Sequence, residues 1–343
     1  MKAVVLAGVG DLRVMDVPDA KLVDPGDAVV RVTTTAICGA DLFPFHGHTP
    51  GFENGTVLGH EFVGVVESVG PAVSSIRRGD RVVSTSTISC GFCPHCRAGR
   101  PSQCLRRARF GYSGVYKRLD GGQAELVRVP SADRCLRLVP DAIADESAVF
   151  VADMLPTGYN AVKRADLAVG DVVVVVGCGT VGLMAILFAR RVARTVIAID
   201  GIAARRALAQ QFGAEAVTPD DARAAIDAAT DGLGADGVIE AAGSADALTA
   251  ALTYVRGQGT VSVVGAHFES DFPLNNGLMF EREMTLRVSW GHAFNDRDRL
   301  LALLGAGELD PTPVISHRFP LAEAAEAYRL FDAREATKVL LMP

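Results

Sequence analysis

Cys90, Cys93, Cys96 and Cys104 stand in the pattern C-x2-C-x2-C-x7-C. Four thiolates this close in sequence can close a tetrahedral shell around one zinc ion and leave no position for a substrate, which describes a structural site. Gly91, Pro94 and Gly99 favour a lobe of turns spanning about residues 88–106. An iron–sulfur cluster also accepts four cysteines and is the rival occupant. His95 lies inside the loop, where an exposed side chain suits it better than a ligand.

A second constellation reads as a nucleotide site. Gly177-Cys178-Gly179-Thr180-Val181-Gly182 is G-x-G-x-x-G between an apolar strand and a helix. The first glycine makes the tight turn and the second lets backbone approach a pyrophosphate. The third lets helix and strand pack closely, while the helix N-terminus offers N–H groups to phosphate. Asp200 ends the next strand, 200 − 177 = 23 residues on. An acid there bonds a ribose 2′-hydroxyl and repels a 2′-phosphate, which favours NAD(H) over NADP(H); Arg205 and Arg206 temper that preference.

Cys38, His60, Glu61 and Asp153 are dispersed and individually ordinary. A lone cysteine is usually a small hydrophobe and a lone histidine usually a hydrogen-bonded core residue, so spacing alone does not join them.

The elements that must position these groups change character along the chain. Val4–Leu6, Ala28–Thr33, Glu61–Val69 and Arg81–Ser84 read as short strands, punctuated by Pro25-Gly26, Gly70-Pro71 and Gly79-Asp80. From about Val151 strands and helices alternate: strand Val172–Val176, helix Thr180–Val192, strand Thr195–Asp200 and helix Ala203–Phe212 capped by Gly213. Strand Gly237–Ala241, helix Ala245–Val255 and strand Thr260–Val264 continue the βαβ pattern of a doubly wound sheet. A helix near Asp298–Leu304, an amphipathic helix Leu321–Phe331 and a strand Lys338–Leu341 close the chain.

At 343 residues, 49% of them hydrophobic, the chain suits two packed domains of about 150 residues each. A net charge of −6 without a charge run argues against nucleic acid or an anionic membrane as partner. The sequence has no apolar run of membrane-spanning length and no signal-peptide core, so a cytoplasmic protein is expected. Seven cysteines, an odd number, fit metal binding better than disulfides in that compartment.

Gly59-His60-Glu61-x2-Gly64-x5-Gly70 resembles the zinc signature of the medium-chain alcohol dehydrogenases. Cys38-Gly39, the four-cysteine lobe, Gly121-Gly122-x-Ala124-Glu125, Thr157-Gly158-Tyr159 and the glycine-rich nucleotide motif follow in that family's order, so the resemblance covers the whole chain. It implies a GroES-like β-barrel catalytic domain over 1–152, a Rossmann dinucleotide-binding domain over 153–289 and a C-terminal return to the catalytic domain over 290–343, with the active site in the cleft. Cys38 and His60 then match two catalytic zinc ligands, and Asp153 stands where many members have cysteine and some bacterial branches aspartate. Glu61 matches the glutamate beside the metal, Thr157 a residue packed by the nicotinamide and Arg205 one contacting the adenosine ribose.

The implied enzyme holds two zinc ions per chain and transfers a hydride between NAD(H) and an alcohol or its carbonyl, with zinc lowering the pKa of the alcohol. Relatives are dimers or tetramers, so a homo-oligomer is expected. One departure concerns the proton. The family usually has Ser or Thr two residues after the cysteine ligand and often His five after it; here these are Ala40 and Phe43. His46 is the first candidate for a replacement relay, with His48 and Asp41 behind it. The missing relay also leaves open hydride delivery to an iminium or a conjugated C=C. A nucleotide-binding protein without activity is the third reading, against which the intact ligand set argues. Phe43, Phe45, Phe52, Tyr112, Leu155, Met279 and Trp290 are the candidate pocket residues, and each suits core or subunit interface equally.

Overall fold

The protein is described from a computed structural model, which covers residues 1–267, 271–272, 274–291 and 293–343. It divides into two compact units, Met1–Asp153 with His292–Pro343, and Met154–Gly291. The sequence-based breaks after 152 and 289 therefore move. Asp153 accepts a hydrogen bond from Ser86 Oγ in the first unit (3.4 Å), and the Trp290 carbonyl accepts one from Asn160 in the second (3.3 Å).

In the first unit the strands begin with β1 (Lys2–Gly8), β2 (Asp11–Asp16), β3 (Ala28–Ile37) and β4 (Thr56–Val57). They continue with β5 (Phe62–Val69), β6 (Arg81–Val83), β7 (Leu126–Val129) and β8 (Arg137–Leu138). The second unit holds β9 (Val172–Val176), β10 (Thr195–Ile199), β11 (Glu215–Val217), β12 (Ala235–Glu240), β13 (Val255–Val263) and β14 (Thr285–Val288). β15 (Ile315–Pro320) and β16 (Lys338–Met342) return to the first unit.

The first unit is built on a sheet ordered β15-β16-β3-β5-β6-β8, with β7 also paired to β3, and a smaller sheet β2-β1-β4. β3 is long enough to serve three partners because its apolar, β-branched residues are buried along nearly its whole length. Its C-terminal end decides the site. Thr35 of β3 pairs with Phe62 of β5, and Ile37 of β3 pairs with Val339 of β16. Both pairings are antiparallel, so Cys38, which follows β3, and His60-Glu61, which precede β5, emerge at the same end, with Lys338 at the start of β16 beside them.

The second unit is a parallel sheet ordered β11-β10-β9-β12-β13-β14. Numbered from β9 this is 3-2-1-4-5-6, the doubly wound order whose direction reverses between β9 and β12. All five valines of β9 are buried, as a strand covered on both faces requires. The helix Thr180–Ala189 follows β9 directly, and Ala203–Gln211 follows β10. The helix over Met154–Ala165, which carries Thr157, and the strands β2, β4, β7, β8, β11, β14 and β15 are additions to the sequence reading. No helix among the described residues is long and apolar enough to cross a membrane.

Candidate active site and metal centres

Cys38, His60, Glu61 and Asp153 come together: one donor atom from each lies within 4.8 Å of all the others, and all four residues are buried. Each is held by a partner. His60 Nδ1 lies 3.0 Å from Asp41 Oδ1, and Asp41 Oδ2 accepts the Cys38 backbone N–H (3.0 Å). The His60–Asp41 contact is a charge contact and not a hydrogen bond, since both atoms are buried without a hydrogen-bond partner; His60 Nε2 lies on the cluster side, 3.2 Å from Asp153 Oδ2. Gln123 Nε2 also donates to Asp41 (3.4 Å), and the Tyr328 hydroxyl donates to Gln123 Oε1 (2.8 Å). Lys338 Nζ donates to Glu61 Oε2 (2.7 Å) and to the Ile37 carbonyl (3.1 Å). Glu61 Oε1 is buried with no hydrogen-bond partner.

The electrostatics follow from burial and neighbours. Burial pushes the Cys38 thiol up and the Glu61 carboxyl up, the latter against the opposing charge of Lys338. Burial also works against ionisation of Asp153, yet the hydrogen bond from His60 and the charge of Arg109 hold its carboxyl below the ordinary value. A buried carboxylate kept ionised, an imidazole with one nitrogen directed inward and a thiol make three donors that fit one zinc with an open position, with the Glu61 carboxylate beside them.

The four lobe cysteines also converge. Sγ atoms of Cys93 and Cys96, and of Cys104 and Cys90, are 3.5 Å apart, and those of Cys90 and Cys96 are 3.9 Å apart. All are too long for disulfides and close to the edge of about 3.8 Å that a tetrahedron with 2.3 Å zinc–sulfur bonds requires. An iron–sulfur cluster, which places several atoms between the thiolates, needs them further apart. N–H groups of Leu105 and Cys96 hold the Cys93 thiol down at about 6, while burial pushes Cys104 up to about 12. Replacing Cys104 by Ser should remove one zinc per chain and make the lobe protease-sensitive, while metal at Cys38–His60–Asp153 stays. Metal analysis with limited proteolysis checks this, and cleavage at the wild-type rate would contradict it.

In the second unit Gly177 sits at φ +93°, and a Cβ on Gly182 would meet the Gly177 carbonyl oxygen at 1.9 Å. The turn therefore needs glycine at the first position and the helix–turn contact needs it at the third. Nothing lies within 4 Å of a Cβ built on Gly179, so that backbone is open to a ligand. Thr180 and Val181 begin the helix, and Thr157 is buried on the helix Met154–Ala165. Asp200 Oδ2 accepts the Cys178 N–H and Oδ1 the Ile202 N–H, both at 2.8 Å. Arg205 Nη1 lies 3.9 Å from Asp200 Oδ2, and Arg206 donates to the Asp200 carbonyl at 2.9 Å.

The other nominated residues separate. His46 is not among the donors that gather; it is exposed and its Nε2 lies 2.8 Å from Asp332 Oδ1. Phe45 and Phe52 pack on the core around Ile37, Leu58 and Tyr328. Leu155 is buried, and Met279 and Trp290 are half-buried. Tyr112 adjoins the cluster, with its hydroxyl bound to the Ala40 carbonyl. Asp41, Lys338 and Arg109 touch the cluster; the sequence reading does not name the last two and takes Asp41 as a possible proton carrier. Asp41 three residues after Cys38 and a lysine within the apolar strand Lys338–Met342 were the available signals; Arg109 had none.

The comparisons agree with this geometry. The alcohol dehydrogenase GroES-like domain matches residues 24–141 and the zinc-binding dehydrogenase family matches 180–306. A probable zinc-binding alcohol dehydrogenase of Mycobacterium tuberculosis is 39% identical over 340 residues, covering 99% of this chain and 87% of the relative. The alcohol dehydrogenase TADH from Thermus sp. ATN1 superposes with a TM-score of 0.95 at 39% identity, over 100% of this chain and 99% of the other. A zinc-binding dehydrogenase of Sinorhizobium meliloti 1021 bound to NADP gives 0.87 at 30% identity, over 100% and 99%. The chain belongs to the zinc-type alcohol dehydrogenases of the medium-chain dehydrogenase/reductase superfamily. It is a zinc-dependent oxidoreductase.

Proposed function

We propose that the protein transfers a hydride between NAD(H) and an alcohol/carbonyl pair, with Cys38, His60 and Asp153 holding the catalytic zinc and Glu61 beside it. The observation that carries this is the gathering of those four donors within 4.8 Å in a buried position. Zinc bound there supplies the Lewis acid that polarises the substrate oxygen. Asp41 orients His60, Lys338 balances the charge of Glu61, and burial of the whole group excludes water from the ligands. The second zinc belongs to Cys90, Cys93, Cys96 and Cys104. Thr157 lines the nicotinamide position, the helix beginning at Thr180 receives the pyrophosphate, and Asp200 with Arg205 receives the adenosine ribose.

The experiment mixes pure, metal-replete protein with NAD(H) or NADP(H) and panels of alcohols, ketones, iminiums and enones, following the reduced cofactor. Turnover of the alcohol/ketone panel is expected, and turnover confined to iminiums or enones would overturn the reading.

NAD(H) is the proposed cofactor despite the NADP-bound relative, because the Asp200 carboxylate would meet a 2′-phosphate with like charge. Wild type should favour NAD by roughly tenfold or more in kcat/KM, which is about 1.4 kcal/mol of differential binding. Asp200→Ala should narrow the gap, whereas equal use of both cofactors by wild type would refute the assignment.

A cytoplasmic homo-oligomer, tetramer or dimer, is also proposed. β14 is an open edge of its sheet, with Val288 70% exposed and nearby Phe280 88% exposed, a surface suited to a second copy.

A further inference from the structure

Arg109 is a fixed charge set against the metal ligands. Its guanidinium lies over the Tyr112 ring, 4.7 Å from the centroid, and the Tyr112 hydroxyl is itself tied to the Ala40 carbonyl. One amino nitrogen of Arg109 is 3.0 Å from His60 Nε2 and 3.9 Å from Asp153 Oδ2. Its Nε is buried without a hydrogen-bond partner, and the side chain as a whole is 17% exposed.

A guanidinium does not lose its proton at any working pH. The two groups it faces, His60 Nε2 and the Asp153 carboxylate, are the ones the catalytic metal would take. The remaining carboxylates of the cluster are engaged elsewhere: Asp41 with His60 Nδ1 and the Cys38 N–H, and Glu61 with Lys338. Once the ligands are engaged, Asp153 at 3.9 Å is shared with the metal, and the Arg109 Nε–H remains buried without an acceptor. An incompletely matched buried cation is costly, and a substrate can supply a further anion. The planar fork of an arginine matches a carboxylate with two parallel hydrogen bonds. One guanidinium balances a monoanion and leaves a phosphate dianion half-matched.

Resting on the alcohol/carbonyl reading above, we infer that Arg109 is a specificity-determining residue and that the substrate is an alcohol bearing a carboxylate near its reacting carbon, a hydroxy acid oxidised to an oxo acid. The redox balance is that of any alcohol: the carbinol C–H leaves as hydride to the nicotinamide, the hydroxyl proton goes to solvent, and the carboxylate does not react.

The test uses the full, zinc-loaded chain. kcat/KM is measured for 2- and 3-hydroxybutyrate, for 2-butanol and for a phosphorylated polyol, in wild type, Arg109→Met and Arg109→Lys. Wild type should favour a hydroxy acid over 2-butanol by about a hundredfold. Arg109→Met should collapse that ratio towards one through KM, and Arg109→Lys should retain part of it. Independently of turnover, calorimetric binding of butyrate should weaken at least about tenfold in Arg109→Met with zinc content preserved. Equal use of hydroxy acids and 2-butanol by wild type, or preference for the phosphorylated polyol, would overturn the inference. So would loss of zinc together with uniform loss of rate in Arg109→Met, which marks a purely structural role. If no alcohol of either kind reacts, the alcohol/carbonyl reading fails instead, and the butyrate titration still decides whether Arg109 binds carboxylate.

Discussion

Asp153→Ala should lower kcat/KM for the best alcohol substrate by at least about a thousandfold and leave one zinc per chain in place of the two proposed for the wild type. Asp153 is the proposed ligand whose charge the surroundings protect: His60 Nε2 lies 3.2 Å from Oδ2, and Arg109 adds a second positive neighbour at 3.9 Å. Removing the carboxylate leaves Cys38 and His60, too few anionic donors to hold a zinc ion tightly in a site that keeps one position open. The zinc that remains should be that of the cysteine lobe, which shares no ligand with this cluster. Metal analysis and steady-state kinetics on the same preparation check both halves of the result. Wild-type zinc content with a small loss of rate would mean that Glu61 or another donor is the third ligand.

The second large effect concerns stability. Lys338→Met should destabilise the fold by about 3–5 kcal/mol, because it leaves the Glu61 carboxylate buried without its cation. Both partners are 0% exposed, the pair is 2.7 Å long, and solvent cannot replace the lost partner. Glu61→Gln in the same chain should recover much of the loss, and a double-mutant cycle from denaturant midpoints measures the coupling. The pH dependence has a definite sign. Burial already pushes the Glu61 carboxyl above its ordinary value while Lys338 opposes that rise, so without Lys338 it rises further. A carboxyl whose folded pKa is raised binds its proton more tightly folded than unfolded. The deficit of Lys338→Met should therefore be smallest in acid and grow as pH rises through the folded pKa of Glu61. A deficit independent of pH would assign the loss to packing.

Local signals made much of the architecture legible. A run of valines at Val172–Val176 has to be buried on both faces, and the glycine pattern after it has one chemical use in that context. The cysteine lobe was readable because its ligands are neighbours in sequence. The catalytic cluster is different: Cys38, His60 and Lys338 meet through the antiparallel registers Thr35 with Phe62 and Ile37 with Val339, and Asp153 joins them from the end of the turn Val149–Ala152, none of which spacing encodes. Resemblance alone joined Cys38, His60 and Asp153 on the page. Lys338 and Arg109 lie further from that kind of signal, since each is charged for the sake of a partner far away in sequence. Asp41 is visible in the sequence as a possible proton carrier; in the structure its Oδ2 accepts the Cys38 N–H and its Oδ1 lies 3.0 Å from His60 Nδ1. His46, the candidate for the replacement relay, has its ring at the surface with Nε2 2.8 Å from Asp332 Oδ1. Phe45 and Phe52, which suit a pocket or the core by size, are partly buried and pack against the core.

The central claim is that hydride transfer depends on a zinc ion held by Cys38, His60 and Asp153. The most direct measurement is a zinc titration of metal-stripped protein, with bound metal and reduced nicotinamide followed together during alcohol oxidation. Turnover should be absent while only the four-cysteine lobe is filled, should appear as the second equivalent binds, and should not appear in Asp153→Ala at any zinc level. Full turnover with the Cys38–His60–Asp153 cluster empty would contradict the account.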